Sequence, residues 1–266
     1  MTPESATGGR SAPLTPHLTT TLDDALAEAP LAAVPPLLPG PRTRGRLIRF
    51  GLVNMLTLSG LALSILALSL ALDGRTSTAA LVMILVAAGD GADGLLARAW
   101  GVATPFGGQL DSLCDMATFG VVCPLIVVQA HGGLDTLLHG MVAGVIAMAV
   151  AAAIRLARFV ISPKKSNFFA GMPTTATAVL LCGWLLCFPE AGQLTTTLLM
   201  CLLAVLMVTE LPYPKLAAAP RAPGWLIGVA LVLGLLGVLA PNLIIPALGI
   251  GYLLFGPVVW LERRYF

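Results

Sequence analysis

The chain has 266 residues, 57% of them apolar and only 11% charged, with a mean hydropathy of +0.91. That composition excludes an ordinary soluble domain and provides several uncharged runs long enough to cross a bilayer. The net charge of +2 decides little, because the placement of charge along the chain is what orients a membrane protein.

Residues 1–41 are rich in Pro, Thr, Ala and Ser and lack the continuous apolar run of a signal peptide. They are expected to form a disordered cytoplasmic extension, with at most a short helix over 22–31 that the proline-rich stretch 30–41 ends. Residues 42–266 are expected to form one membrane-embedded domain. It begins with RTRGRLIRFGLVN, where Leu47, Ile48, Phe50 and Leu52 lie among Arg42, Arg44, Arg46 and Arg49. This pattern predicts an amphipathic juxtamembrane helix on an anionic leaflet, or a plain positive-inside anchor.

Eight apolar spans follow, at roughly 52–72, 78–99, 108–130, 137–160, 173–188, 194–210, 224–240 and 243–260. The fold class is therefore all-α: a polytopic transmembrane bundle with a six-helix core and two further C-terminal helices. If the first arginines are cytoplasmic, Arg155, Arg158, Lys164, Lys165, Lys215, Arg221, Arg263 and Arg264 all fall near inner helix ends, and Arg75 falls outside. The expected location is a cytoplasmic membrane with the inner ends of spans two and three facing the cytosol.

Span one opens with Asn54 and Thr57, a polar pair in an apolar run. Spans two and three hold GDGADGLLARAWGVATPFGGQLDSLCD, residues 89–115. Between Ala80 and Ala130 the acids are Asp90, Asp93, Asp111 and Asp115, and Arg98 is the base. On helices, spacings of three and four put each pair of acids on one face. Carboxylates in hydrocarbon cost roughly 2.5–3.5 kcal/mol each on insertion scales. A pair of divalent cations, Mg²⁺ or Mn²⁺, would compensate them and serve phosphoryl transfer; a cation path through a transporter would also use them. Arg98 suits a diphosphate oxygen or an interfacial anchor, and Gly94, Ala97, Gly107 and Gly108 leave room for close helix approach or a nucleotide.

The full spacing is more specific. Asp90-x-x-Asp93-Gly94-x-x-Ala97-Arg98, eight residues, then Gly107-x-x-x-Asp111-x-x-x-Asp115 resembles the motif of the CDP-alcohol phosphatidyltransferase family at all eight defining positions. The resemblance implies an integral membrane enzyme that moves a phosphatidyl group from a CDP-activated donor to an alcohol and releases CMP. It implies that Asp90, Asp93 and Asp111 ligate two divalent ions, and that Asp115 ligates the second and is the general base. It places Gly94 and Gly107 near the cytidine, with Asn54 and Thr57 bordering the nucleotide, and it leads to the expectation of a homodimer.

Span four ends in Ile154-Arg155-Leu156-Ala157-Arg158-Phe159, and Phe168-Phe169-Ala170-Gly171-Met172-Pro173 opens span five. Both stretches resemble blocks of the phosphatidylserine synthase branch, with Val160, Met172, Thr175 and Thr177 departing from its commoner residues. The substrates implied are CDP-diacylglycerol and L-serine. Glycerol 3-phosphate or an inositol phosphate is the alternative acceptor, and an ion-coupled transporter is the alternative class. Arg155 and Arg158 could hold an acceptor carboxylate or a lipid phosphate, or simply anchor the helix. Gly171 and Pro173 would expose the N-terminus of span five to such an anion.

The remaining sequence is less specific. Spans seven and eight lack ionisable groups and read as packing or oligomer surface. His131 and His139 fall on the outer side, and the tryptophans suit interfacial belts. The five cysteines, without CxxC spacing, read as small buried hydrophobes. Expected partners are the two substrates and membrane lipid, with no nucleic acid.

Overall fold

The computed structural model describes residues 36–133, 140–161 and 168–214, together with Gly251, Leu253 and Pro257. Most of the N-terminal extension, His139, the two loop lysines Lys164 and Lys165, and spans seven and eight apart from those three residues lie outside the described residues.

Helix α1 runs from Arg44 to Leu72, 29 residues without a break. Thr43 starts it, its hydroxyl accepting from the Arg46 amide at 3.4 Å, and no proline interrupts the run. At 1.5 Å per residue it is about 44 Å long, more than a hydrocarbon layer of roughly 30 Å needs. The basic segment is therefore the first turns of span one, and not a separate helix at an angle to it.

Span two is interrupted. Helix α2 (Thr76–Gly89) stops at Asp90, Gly91 takes a φ of +77°, and helix α3 (Ala92–Ala99) follows, the two together making an apolar stretch of 24 residues. A left-handed residue cannot continue a right-handed helix, and glycine adopts that conformation without steric cost. Helix α4 (Pro105–Asp115) is capped by Thr104, whose hydroxyl accepts from the Gly107 amide at 3.1 Å. It passes into a π-helical segment, Met116–Val122, and then α5 (Cys123–Ala130). Together these span 26 residues.

Helix α6 (Val142–Ile161) is, among the described residues, the fourth stretch long and apolar enough to cross a membrane. Helices α7 (Thr174–Cys187) and α8 (Gln193–Val208) have 14 and 16 residues, about 21 and 24 Å, and are shorter than the spans expected at these places. The all-α expectation is amended by one small ribbon. Strand β1 (Phe168–Ala170) pairs antiparallel with β2 (Pro212–Pro214), Phe169 opposite Tyr213; the two prolines hold β2 extended. The ribbon ties the chain entering α7 to the chain leaving α8.

The core lies among α2, the π segment, α5, α6, α7 and α8, centred on Met83, Phe119, Ile126, Met148, Leu181 and Met200, each 2% exposed or less. Close approach relies on glycine. A Cβ on Gly120 would lie 2.7 Å from the Ala152 Cβ, and one on Gly144 would meet Met200 at 3.1 Å. The cysteines behave as small apolar groups: Cys123 and Cys182 are fully buried with sulfurs 3.7 Å apart, and all five are free thiols. At the far end of the α4–α5 rod, His131 reaches the Val127 and Ala191 carbonyls at 2.8 and 3.1 Å and the Thr196 hydroxyl at 3.1 Å. It joins the end of α5 to the α7–α8 connection and the first turn of α8.

Candidate active site

The four aspartates reach their positions by different routes. Asp111 and Asp115 share one face of α4, as their spacing of four requires. Asp90 and Asp93 do not share a helix, because the chain turns at Gly91 between them; this corrects the simple one-face expectation. The turn leaves Asp90 at the end of α2 and puts Asp93 in the first turn of α3, where the helix dipole favours a carboxylate.

One carboxylate oxygen each from Asp90, Asp111 and Asp115 lies within 4.8 Å of the other two. Asp90 and Asp115 are within hydrogen-bonding reach of one another. Asp93 stands beside this group, close enough for its charge to act on Asp90 and Asp111. Its own oxygens are occupied: Oδ2 accepts from the Thr57 hydroxyl, and Oδ1 accepts from the Gly94 amide at 2.6 Å. Three converging carboxylates, with a fourth alongside, form an all-oxygen donor set of the kind Mg²⁺ and Mn²⁺ take. The residues present therefore fit a divalent cation.

Beside the acids lies a cavity of about 540 Å³. Asn54, Thr57, Gly94, Ala97, Arg98 and Gly107, all six residues expected at a nucleotide, line it, as do Asp93 and Asp111. Local contacts shape its walls. The Asn54 amide nitrogen donates to the Phe50 carbonyl at 2.8 Å, leaving the side-chain oxygen directed at Gly107, where a Cβ would sit 3.6 Å away. Arg98 folds back along α3 so that its guanidinium lies 3.5 Å from where a Gly94 Cβ would be. A larger residue at Gly94 or Gly107 would fill the space next to these polar groups.

A second, narrower hollow of about 240 Å³ opens on the other side of the acids. Its walls are Leu56, Gly60, Leu63, Leu85, Val86 and Phe119, with Asp90, Asp93 and Asp115 at one end. The carboxylates thus stand between a mixed polar cavity and an apolar one, with Thr57 and Asp93 common to both.

The residues expected at the acceptor separate. Arg155 is 7% exposed, donates to the Thr174 hydroxyl at 3.4 Å, and lies near enough for its charge to act on Asp90 and Asp115. Arg158 is exposed and donates to the Val208 carbonyl at 2.7 Å, at the C-terminal end of α8 where a cation is favoured. Gly171 has a φ of +80°, and its N–H already goes to the Leu211 carbonyl at 2.9 Å. A Cβ there would strike the Met207 carbonyl oxygen and lie 2.7 Å from that of Thr209. Gly171 is thus needed to seat the α7 entry against α8, while Pro173 caps α7 without a side-chain hydrogen bond.

Several participants were not apparent in the sequence. Phe159 and Val160 close the larger cavity from the end of α6. Ser64 and Thr118, buried with hydroxyls 3.3 Å apart, tie α1 to the turn that follows Asp115. A hydroxyl one turn beyond a functional acid was the available clue for Thr118.

The family model for CDP-alcohol phosphatidyltransferase matches residues 50–236. A protein of Methanocaldococcus jannaschii named CDP-diacylglycerol–serine O-phosphatidyltransferase is 32% identical over 126 residues, covering 47% of this chain and 58% of its own length. Proteins of the same name from Mycobacterium leprae and Helicobacter pylori are similar over more of their length. The first is 28% identical over 241 residues, covering 85% of this chain and 79% of its own. The second is 30% identical over 219 residues, covering 78% and 90%.

Proposed function

The chain belongs to the CDP-alcohol phosphatidyltransferase family, and from that premise we propose that it transfers the phosphatidyl group of CDP-diacylglycerol to the hydroxyl of L-serine, giving phosphatidylserine and CMP. The observation that carries this reading is the convergence of Asp90, Asp111 and Asp115 within 4.8 Å at the edge of a cavity lined by all six residues expected at the nucleotide, four from the motif and Asn54 and Thr57 upstream of it. The names of the relatives support serine as acceptor.

In this reading the cytidine occupies the larger cavity, against Asn54, Gly94 and Gly107, and Arg98 takes a diphosphate oxygen through its planar guanidinium. The donor's glycerol end continues toward the apolar hollow between α1 and α2. The diphosphate then crosses the acids where the two spaces meet. Two bound Mg²⁺ or Mn²⁺ ions, held by Asp90, Asp93, Asp111 and Asp115, would offset the carboxylate charge and stabilise negative charge on the phosphate oxygens.

Asp115 receives the proton of the serine hydroxyl as its oxygen attacks the lipid-side phosphorus. The new O–P bond forms, the bond to the CMP oxygen breaks, and CMP leaves with the electron pair. Each Asp93 oxygen keeps a second lone pair, so the carboxylate can ligate while the Thr57 hydroxyl and the Gly94 amide hold it in register. Arg155, buried next to the acids, is positioned to bind the serine carboxylate. Charge placement supports an inner, cytoplasmic location for this end of the bundle.

Purified protein supplied with CDP-diacylglycerol, Mn²⁺ or Mg²⁺ and one alcohol at a time tests the proposal through CMP release. Release with serine supports it. Release only with glycerol 3-phosphate or an inositol phosphate moves the acceptor, and no release with any alcohol rejects the transferase reading.

A further inference from the structure

By sequence Leu38 belongs to the proline-rich extension, yet it is 5% exposed while its neighbour Leu37 is 53% exposed. Its side chain packs with Val53 of α1, Ala97 of α3 and Val102 of the α3–α4 turn, with Phe50, Leu96 and Trp100 around them. This small cluster is separate from the main core. Val53, Ala97, Val102 and Phe50 also line the larger cavity, and Leu38 does not. Leu38 therefore backs the cavity wall from behind.

The segment is pinned along its length. Gly40 turns at a φ of +90°, and the Arg46 guanidinium crosses it at 3.0 Å from where a Cβ would be. The same guanidinium donates to the Pro41 carbonyl at 3.0 Å, and Thr43 then caps α1. The chain entering the membrane thus folds back over its own first helix instead of trailing away from it.

We propose that the stretch from Leu38 to Thr43 is a structural wall of the nucleotide cavity, with Leu38 as the positioning residue that sets its shape. The inference rests on the reading of that cavity as the cytidine site. The wall matters because Ala97 adjoins Arg98, and Gly101, at a φ of +65°, begins a turn tied by the Val102 amide to the Ala97 carbonyl at 2.9 Å. Removing the support behind Ala97 and Val102 lets that turn shift, and Arg98 shifts with it.

The test is Leu38→Ala in the full-length protein in lipid nanodiscs. A misplaced phosphate ligand is expected to raise KM for CDP-diacylglycerol about tenfold, with kcat and the KM for the acceptor within about twofold of wild type. Amide hydrogen exchange over residues 97–104 is expected to quicken. Leu38→Met, close to isosteric, restores both values, and Leu38→Val gives an intermediate result if the alanine variant does not fold. Unchanged exchange over 97–104 in the alanine or valine variant overturns the inference, whatever the turnover. A wild-type protein that releases no CMP refutes the function and leaves the exchange measurement to decide the wall. Loss of kcat with an unchanged donor KM also overturns it.

Discussion

Replacing Asp115 with Asn separates the chemistry of the site from its electrostatic strain. One oxygen of Asp115 lies within 4.8 Å of oxygens on Asp90 and Asp111. At an effective dielectric of about 20, two unit charges that far apart repel by roughly 3.5 kcal/mol. Neutralising Asp115 removes two such pairs, about 7 kcal/mol, but a proton shared between Asp90 and Asp115, the Arg155 charge and solvent offset the larger share. A residual gain of about 1–2 kcal/mol is expected, enough to raise the melting temperature by several degrees in chelator. Added Mn²⁺ should reverse the order, because the wild type has one more charged ligand for the ion to stabilise.

Turnover should move the other way. A general base contributes about 10²- to 10⁴-fold, so CMP release by Asp115→Asn should fall about a thousandfold, close to 4 kcal/mol of barrier. CMP binding, which depends on the cavity around Arg98, should stay within a few-fold. The assays are CMP release, CMP titration, and thermal melts with EDTA and with Mn²⁺. Turnover within a few-fold of wild type would remove Asp115 as the base. A variant that melts below wild type in chelator would refute the repulsion account.

Three further outcomes are expected. Gly120→Ala must force α6 and the π segment apart, since its Cβ would stand 2.7 Å from that of Ala152; a loss of about 1–3 kcal/mol should appear as a lower melting temperature. Gly51→Ala, with open space around the added methyl, is the control and should melt at or above wild type. Arg98→Lys replaces a planar fork with a point charge and should raise KM for CDP-diacylglycerol about tenfold; equal KM values would remove Arg98 from the diphosphate. Dialysis against EDTA should abolish CMP release and Mg²⁺ or Mn²⁺ should restore it; full activity in chelator would reject the metal assignment.

Much of the site was legible because its chemistry is carried by residue types that hydrocarbon excludes. Four acids and one arginine in a 51-residue apolar stretch stand out at any resolution, and their spacing carries the resemblance to the family, which in turn implied the residues that line the cavity. Gly91 was the step that periodicity missed. A spacing of three reads as one helical face only while the helix continues, and a left-handed glycine between Asp90 and Asp93 breaks it. Arg155 and Arg158 illustrate the same limit. Their spacing suggested a joint grip, whereas packing buries the first beside the acids and leaves the second on the end of α8. Leu38 was hidden by its company, since Leu37 beside it looks the same in the sequence and only packing buries one and exposes the other.

The sequence alone determined that this chain is helical and apolar enough to span a membrane, and which stretches carry the acids, because charges in an apolar run stand out from their surroundings. Tertiary structure decided which carboxylates converge, that Asp93 leans on Thr57, and that Leu38 packs against Ala97 and Val102. Those depend on where separate helices stop, turn and touch, and contacts between residues far apart in the chain leave no periodic trace along it.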